Sequence, residues 1–191
     1  MSDRRRDAIA ILAIIAVAIV VRAIHLIGIV RSPTFDVPIV DAETYHSLAV
    51  GLADGDGVRA GFFWQGTFYP TFLGAVYAVV GPSMLWAKVI QLAVGTATCV
   101  STFALGRRLF GRRIGVCAAL VTALYGPLIF FETELVATTW VTFFEVNLVI
   151  LVLRVKDRPT PARAIVLGAC AALAVLCWSL FLPFLLASAG W

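Results

Sequence analysis

The chain has 191 residues, 61% of them hydrophobic and only 14% charged, and its mean hydropathy is +0.98. A soluble domain is nearer half apolar and a quarter charged, so a fold of this size cannot bury so much apolar surface and lipid must solvate much of it. The net charge of +4 does not mark a nucleic-acid binder, because the basic residues lie between hydrophobic runs with no aromatic-interleaved patch.

Arg4, Arg5 and Arg6 precede a first apolar run over 8–30. That run is too long for the core of a signal peptide and lacks a clean small-residue cleavage site, so it reads as an uncleaved first transmembrane helix. The following segment, 31–67, is long for a connection between spans and is therefore expected to be functional. Within it, 41–53 has helical character and stops at Gly55, while Phe62-Phe63-Trp64 and Phe68-Tyr69 give the aromatic content expected at headgroup level. The apolar patch 69–80 opens on Tyr69-Pro70 and closes at Gly81-Pro82, both natural helix limits. At about a dozen residues it is too short to span a bilayer, and an interfacial helix is expected. Four further runs, 84–106, 114–131, 135–153 and 164–187, meet or approach the span length. The expected fold is therefore all-α: one transmembrane domain over 1–191, a polytopic bundle of about five spans plus a short interfacial helix in the first outer loop.

Charge sorting supports that count. With 69–80 not crossing, the inner segments 1–7, 107–113 and 154–163 hold eleven of the fifteen Lys and Arg residues. The outer side keeps Arg31 and Arg59, and Arg22 and Lys88 lie in the outer halves of helices. This is the split that the positive-inside rule requires, with the N-terminus cytoplasmic and the 31–67 loop extracytoplasmic at the cell membrane. Asp36, Asp41, Glu43, Asp54, Asp56, Glu132 and Glu134 all fall on the outer side, which points to an acidic cleft there. Cys99, Cys117, Cys170 and Cys177 lie inside apolar runs without CxxC spacing and read as small buried thiols.

From the outer loop onward the sequence resembles a known family. The string Val40-Asp41-Ala42-Glu43-Thr44-Tyr45-His46 is followed by Gly55-Asp56-Gly57, Phe68-Tyr69-Pro70-Thr71-Phe72-Leu73 and Lys88-Val89-Ile90-Gln91. After these come the 106–113 basic loop and Leu124-Tyr125-Gly126-Pro127, leading to Glu132-Thr133-Glu134-Leu135. Their order and spacing resemble the N-terminal part of the GT-C fold glycosyltransferases, nearest to the polyprenyl-phosphate-dependent relatives of protein O-mannosyltransferases. The resemblance covers about 33–154 and implies a membrane enzyme that moves a sugar from a polyprenyl-phosphate carrier to an extracytoplasmic acceptor (a glycan, lipid or protein). It also implies catalytic acids at Asp41 in the first outer loop and at Glu134, or the neighbouring Glu132, in the next. Members are commonly much longer and often carry a basic residue and a proline near Trp178-Ser179, where this chain has no basic residue. The expectation is thus the N-terminal portion of a larger module, with a further polypeptide supplying missing helices.

Glycosyl transfer needs a base for the acceptor proton, charge balance at the leaving phosphate and exclusion of water. Asp41 fits the base of an in-line displacement, with Tyr45 one turn on; alternatively it only caps the helix that follows. Glu43 and His46, three apart, read as a pair at an acceptor or as a solvated helix face. Glu132 and Glu134 read either as helpers of Asp41 in holding Mg²⁺ or Mn²⁺, or as acids favoured at the start of the next helix. Lys88, with Gln91 on the same side, suits a lipid phosphate at headgroup depth or simple snorkelling; Arg22 and His25 allow the same two readings. Glu145 and Asn147 fall mid-span, where a carboxylate is a functional candidate by default. The rival readings are a non-catalytic membrane subunit binding polyprenyl-phosphate lipid or a partner protein, and a small transporter, whose paired broken helices the sequence does not display.

Overall fold

The computed structural model describes residues 3–57, 63 and 66–189, so Arg59, Phe62 and Trp64 lie outside the described residues. Those residues form nine helices and no strand. They run α1 (Asp3–Ile29), α2 (Asp41–Ala53), α3 (Phe68–Val80), α4 (Met84–Phe110), α5 (Arg112–Leu124), α6 (Gly126–Glu132), α7 (Thr138–Asp157), α8 (Pro161–Cys177) and α9 (Phe181–Ala189).

Three of these, α1, α4 and α7, are long and apolar enough to cross a membrane. Counting the bent pair α5 and α6 as one span gives four. Of the five expected spans, three, or up to four, are thus supported; the other two runs are broken, with a proline just after each break. The 114–131 run breaks at Tyr125 and bends by 55°, because Pro127 has no N–H for the preceding turn and is tolerated only in the first turn of a new helix. The 164–187 run breaks over Trp178–Leu180, so α8 ends at Cys177 with 17 residues and Pro183 falls in the first turn of α9. The helix expected over 69–80 is present as α3, 13 residues long.

Helix α4 is the hub, in contact with α1, α3, α5, α6 and α7. Ile14 and Ala18 of α1, Cys99 and Phe103 of α4, and Ala119 and Ala123 of α5 make one core. A second core joins α2 and α3 to α7 and α8 through Tyr45, Tyr69, Leu73, Phe144, Leu148, Ala174 and Cys177. Elsewhere large apolar side chains face outward, among them Leu12, Ile27, Val121 and Ile165, as a bundle solvated by lipid requires. The thiols are less uniform than expected: Cys99 and Cys177 are buried, but Cys117 is exposed on α5.

The two ends of the bundle differ in charge. At one end Arg107 pairs with Asp7 at 2.5 Å, Arg112 with Asp3 at 3.8 Å and Arg108 with Asp157 at 2.7 Å. Arg163 donates to the Arg154 carbonyl at 2.8 Å. The three basic segments therefore lie together, as the charge sorting expects. The other end carries α2, α3 and the turn after α6.

Candidate active site at the α2–α3 end

Helix α2 starts from a strained residue. Val40 has φ 54° and ψ −119° and is the one non-glycine with positive φ among the described residues. A β-branched side chain there costs about 1–3 kcal/mol, which the surrounding fold must impose. The kink sets Asp41 at the first helical position, one past Val40 at the cap, whose own side chain makes no capping hydrogen bond.

Asp41 lines a cavity of about 440 Å³ with Tyr45, Phe63, Gly66, Thr67, the last turn of α8 and Trp178-Ser179. The far wall exists because α8 stops where it does. Gly66 closes the floor: a Cβ there would lie 2.1 Å from the Cys177 carbonyl oxygen, so only glycine lets the loop approach the end of α8. One carboxylate, two hydroxyls (Thr67 and Ser179) and the rings of Tyr45, Phe63 and Trp178 thus face one space.

Behind Asp41 the polar groups are wired into the scaffold. Tyr45 is buried, and its hydroxyl pKa is pushed up to about 12, first by burial and then by the Asp41 charge. It is a neutral phenol at any ordinary pH. Its ring packs edge-on against Tyr69 at 4.8 Å. Tyr69, whose pKa burial raises most strongly, donates its hydroxyl proton to Gln91 Oε1 at 2.7 Å. Gln91 Nε2 in turn donates to the carbonyls of Glu132 and Glu134 at 2.9 and 2.7 Å. Gln91 is fully buried, so its position in the structure is that of a brace between α4 and the turn after α6.

The other sequence candidates are spread around this core. Glu134 is half-buried, close enough to act electrostatically on Tyr69 and Lys88. Lys88 is buried, donates to the Phe35 carbonyl at 2.6 Å and sits 3.8 Å above the Phe35 ring centre. Its ammonium pins the start of the outer loop and does not snorkel to the surface. Glu132 is paired: Arg22 Nε donates to Oε2 at 2.7 Å and Nη2 to Oε1 at 2.5 Å, both side chains 3% exposed. That pair nests on Gly95, where a Cβ would fall 1.9 Å from Oε1. Neither snorkelling for Arg22 nor an open role for the Glu132 carboxylate fits this arrangement. His25 Nε2 lies 3.2 Å from Thr133 Oγ1. His46 Nδ1 pairs with the Tyr77 hydroxyl at 2.9 Å, so it is held to α3 and not to Glu43, which is exposed. Burial lowers the His46 pKa.

Asn147 bonds across to Ser101 at 3.2 Å and to the Phe143 carbonyl at 2.8 Å. Glu145 is exposed on α7. Among the described residues no three His, Cys, Asp or Glu side chains converge on a point that suits a metal ion. The cavity residues contributed by Phe63, Gly66, Thr67, Trp178 and Ser179 were not among the sequence candidates. The signal for the last two was Pro183, which favours a kink or break just upstream. Compared with protein-family models, curated proteins and solved structures, the chain matches none.

Proposed function

We propose that this chain forms the acceptor-side active site of a multi-pass membrane glycosyltransferase that takes its sugar from a polyprenyl-phosphate donor. The observation that carries the reading is Asp41, held by a strained backbone at the edge of an aromatic-walled cavity of about 440 Å³. Aromatic faces pack on the C–H faces of a sugar ring, hydroxyls exchange hydrogen bonds with its rim, and a carboxylate at the edge of such a site is placed to accept a proton. The reading puts the N-terminus and the basic end in the cytoplasm. The α2–α3 end is then extracytoplasmic, with α8 and α9 completing a fifth, broken crossing.

In this reading Asp41 takes the proton of an acceptor hydroxyl as its oxygen attacks the anomeric carbon from the face opposite the phosphate. The new glycosidic C–O bond forms as the sugar–phosphate C–O bond breaks, and polyprenyl phosphate leaves with the bonding pair. The configuration at the anomeric carbon inverts. The neutral Tyr45 stiffens the helix turn that carries Asp41. Glu134 acts through its field at the Lys88 and Tyr69 side of the site. The donor set for a protein-held cation is not assembled among the described residues, so no step is routed through Mg²⁺ or Mn²⁺.

The test is sugar transfer from a polyprenyl-phosphate sugar to acceptor by the purified chain, alone and in its native membrane. Asp41→Asn is expected to lower turnover at least 100-fold with donor binding retained, the scale of a lost general base. Normal turnover in that variant removes Asp41 from the chemistry. Donor binding by the wild type without any transfer would favour a lipid-binding subunit instead.

A further inference from the structure

The basic end of the bundle carries more charge than its own acids balance. Its three segments hold eleven Lys and Arg residues against Asp3, Asp7 and Asp157. Arg4, Arg5, Arg6 and Arg113 have no ion-pair partner among the described residues. Between the start of α1 and the α4–α5 turn this end opens into a cavity of about 630 Å³, walled by Arg107, Arg108 and Arg112 together with Asp3 and Asp7. The acids take up only part of the donor set. Asp7 meets Arg107 through one nitrogen, and Asp3 stands 3.8 Å from Arg112, beyond hydrogen-bond distance. Arg108 also reaches Asp157 and the Leu153 carbonyl on α7. Each guanidinium has five N–H donors, so several remain for a ligand. The turn concentrates this charge: Gly111, at φ 90°, reverses the chain between Arg107-Arg108 and Arg112-Arg113. Helix α5 then begins on two arginines with no acid in its first turn, the reverse of what the helix dipole favours. An anion in the cavity would relieve both.

We propose that this cavity seats the headgroup phosphate of an anionic phospholipid, with the acyl chains lying along the neighbouring apolar surface. The planar fork of arginine matches two phosphate oxygens at once, and basic pockets between helix ends suit phospholipid headgroups. The apolar neighbours decide between a lipid and a free anion. Leu109 and Phe110 stand between the two arginine pairs and Ile114 follows the second, and they are 48%, 67% and 51% exposed. A nucleotide or inorganic phosphate would use the guanidiniums and leave those side chains bare; a phospholipid meets both. Basic residues between spans follow from topology alone. Topology alone does not require a cavity walled by three guanidiniums beside exposed apolar side chains. The site lies at the opposite end of the bundle from the Asp41 cavity and does not depend on the reading given to that cavity.

The experiment is photocrosslinking of the full chain in phosphatidylcholine vesicles that carry a trace of photoactivatable phosphatidylglycerol or, in parallel, photoactivatable phosphatidylcholine. Labelled peptides are mapped by mass spectrometry. In the wild type, peptides covering 104–114 are expected to take phosphatidylglycerol about 5-fold or more over phosphatidylcholine, the scale of a single basic residue acting on an anionic lipid. Arg107→Gln with Arg112→Gln is expected to bring the two yields together. Arg154→Gln with Arg158→Gln removes the same charge from the same end but outside the cavity, and is expected to keep the wild-type ratio within about 2-fold. Excess inorganic phosphate is expected to leave the labelling unchanged. Should the cavity pair fail to fold, the wild-type ratio, the distant pair and the phosphate arm still decide. Equal labelling of the wild type by both lipids would overturn the proposal. So would a distant pair that loses the ratio completely, which marks a diffuse field, or displacement by inorganic phosphate, which marks a site for soluble anions.

Discussion

The pair Arg22–Glu132 is the sharpest place to perturb this fold. Replacing Glu132 by Leu leaves the Arg22 guanidinium buried, at 2% exposure, with long hydrogen bonds to the carbonyls of Ala18 and Ala123 at 3.4 and 3.5 Å and no countercharge beside it among the described residues. Breaking a buried pair in this way costs about 3–5 kcal/mol, most of it the penalty of an uncompensated charge. Changing both partners to Leu removes that charge, and apolar replacements of buried pairs are often neutral or better. The double variant is thus expected within about 1 kcal/mol of the wild type. Gly95→Ala reaches the same pair by another route: its Cβ would sit 1.9 Å from Oε1, against ordinary contact at 3.4 Å, so the carboxylate must retreat about 1.5 Å from Arg22. Reversible unfolding in mixed micelles, read by circular dichroism against the mole fraction of SDS, compares the wild type, Glu132→Leu, Arg22→Leu, the double variant and Gly95→Ala. A Glu132→Leu chain as stable as the wild type, or a double variant no better than the worse single, would refute the reasoning. It would also return Glu132 to the list of substrate contacts.

Three further outcomes are expected. Val40→Gly relieves the positive φ, and after the entropic cost of glycine it should stabilise the chain by about 1 kcal/mol while loosening Asp41 and lowering turnover; a loss of stability in the same unfolding assay would contradict the strain. His46 is favoured in its neutral form in the folded chain, because burial lowers its pKa below 6.5. Between the two pKa values the unfolded chain binds more protons, so this contribution is complete above about pH 6.5 and is lost as pH falls through the folded value. Melting curves from pH 8 to pH 5 should show a larger acid loss for the wild type than for His46→Asn, and equal slopes would dismiss it. Gly66→Ala should drive the loop from the Cys177 carbonyl and open the Asp41 cavity, read as faster proteolysis within 58–67; unchanged cleavage would count against the close approach.

Much of the architecture was legible from composition and periodicity alone. Apolar runs of span length, a run at 69–80 too short to cross, and arginines clustered between runs were enough to expect an all-helical bundle with one basic end. These are local properties: hydropathy and charge are carried by each residue wherever it lies. The two broken runs were less legible. Pro127 and Pro183 are visible in the sequence, yet whether a proline kinks a span or ends it depends on what the freed carbonyls and the following helix pack against. At 178–180 the chain ends α8 and turns, and Trp178 and Ser179 become a wall of the Asp41 cavity.

The candidate site shows the same division. Asp41, Tyr45, Gln91, Lys88, Glu132 and Glu134 stood out as polar residues near one end of an apolar chain. Their roles could not be assigned from spacing, because each depends on a partner distant in sequence: Glu132 on Arg22, 110 residues earlier; Lys88 on Phe35, 53 earlier; Gln91 on Tyr69 and on carbonyls 41 and 43 residues later. Sequence alone determined the long apolar helices and the clustering of arginines between them, since hydropathy and charge are summed along the chain. Only the tertiary structure decided which acids are neutralised and which face open space, because burial and pairing of a charge are properties of the packed bundle and not of the residue.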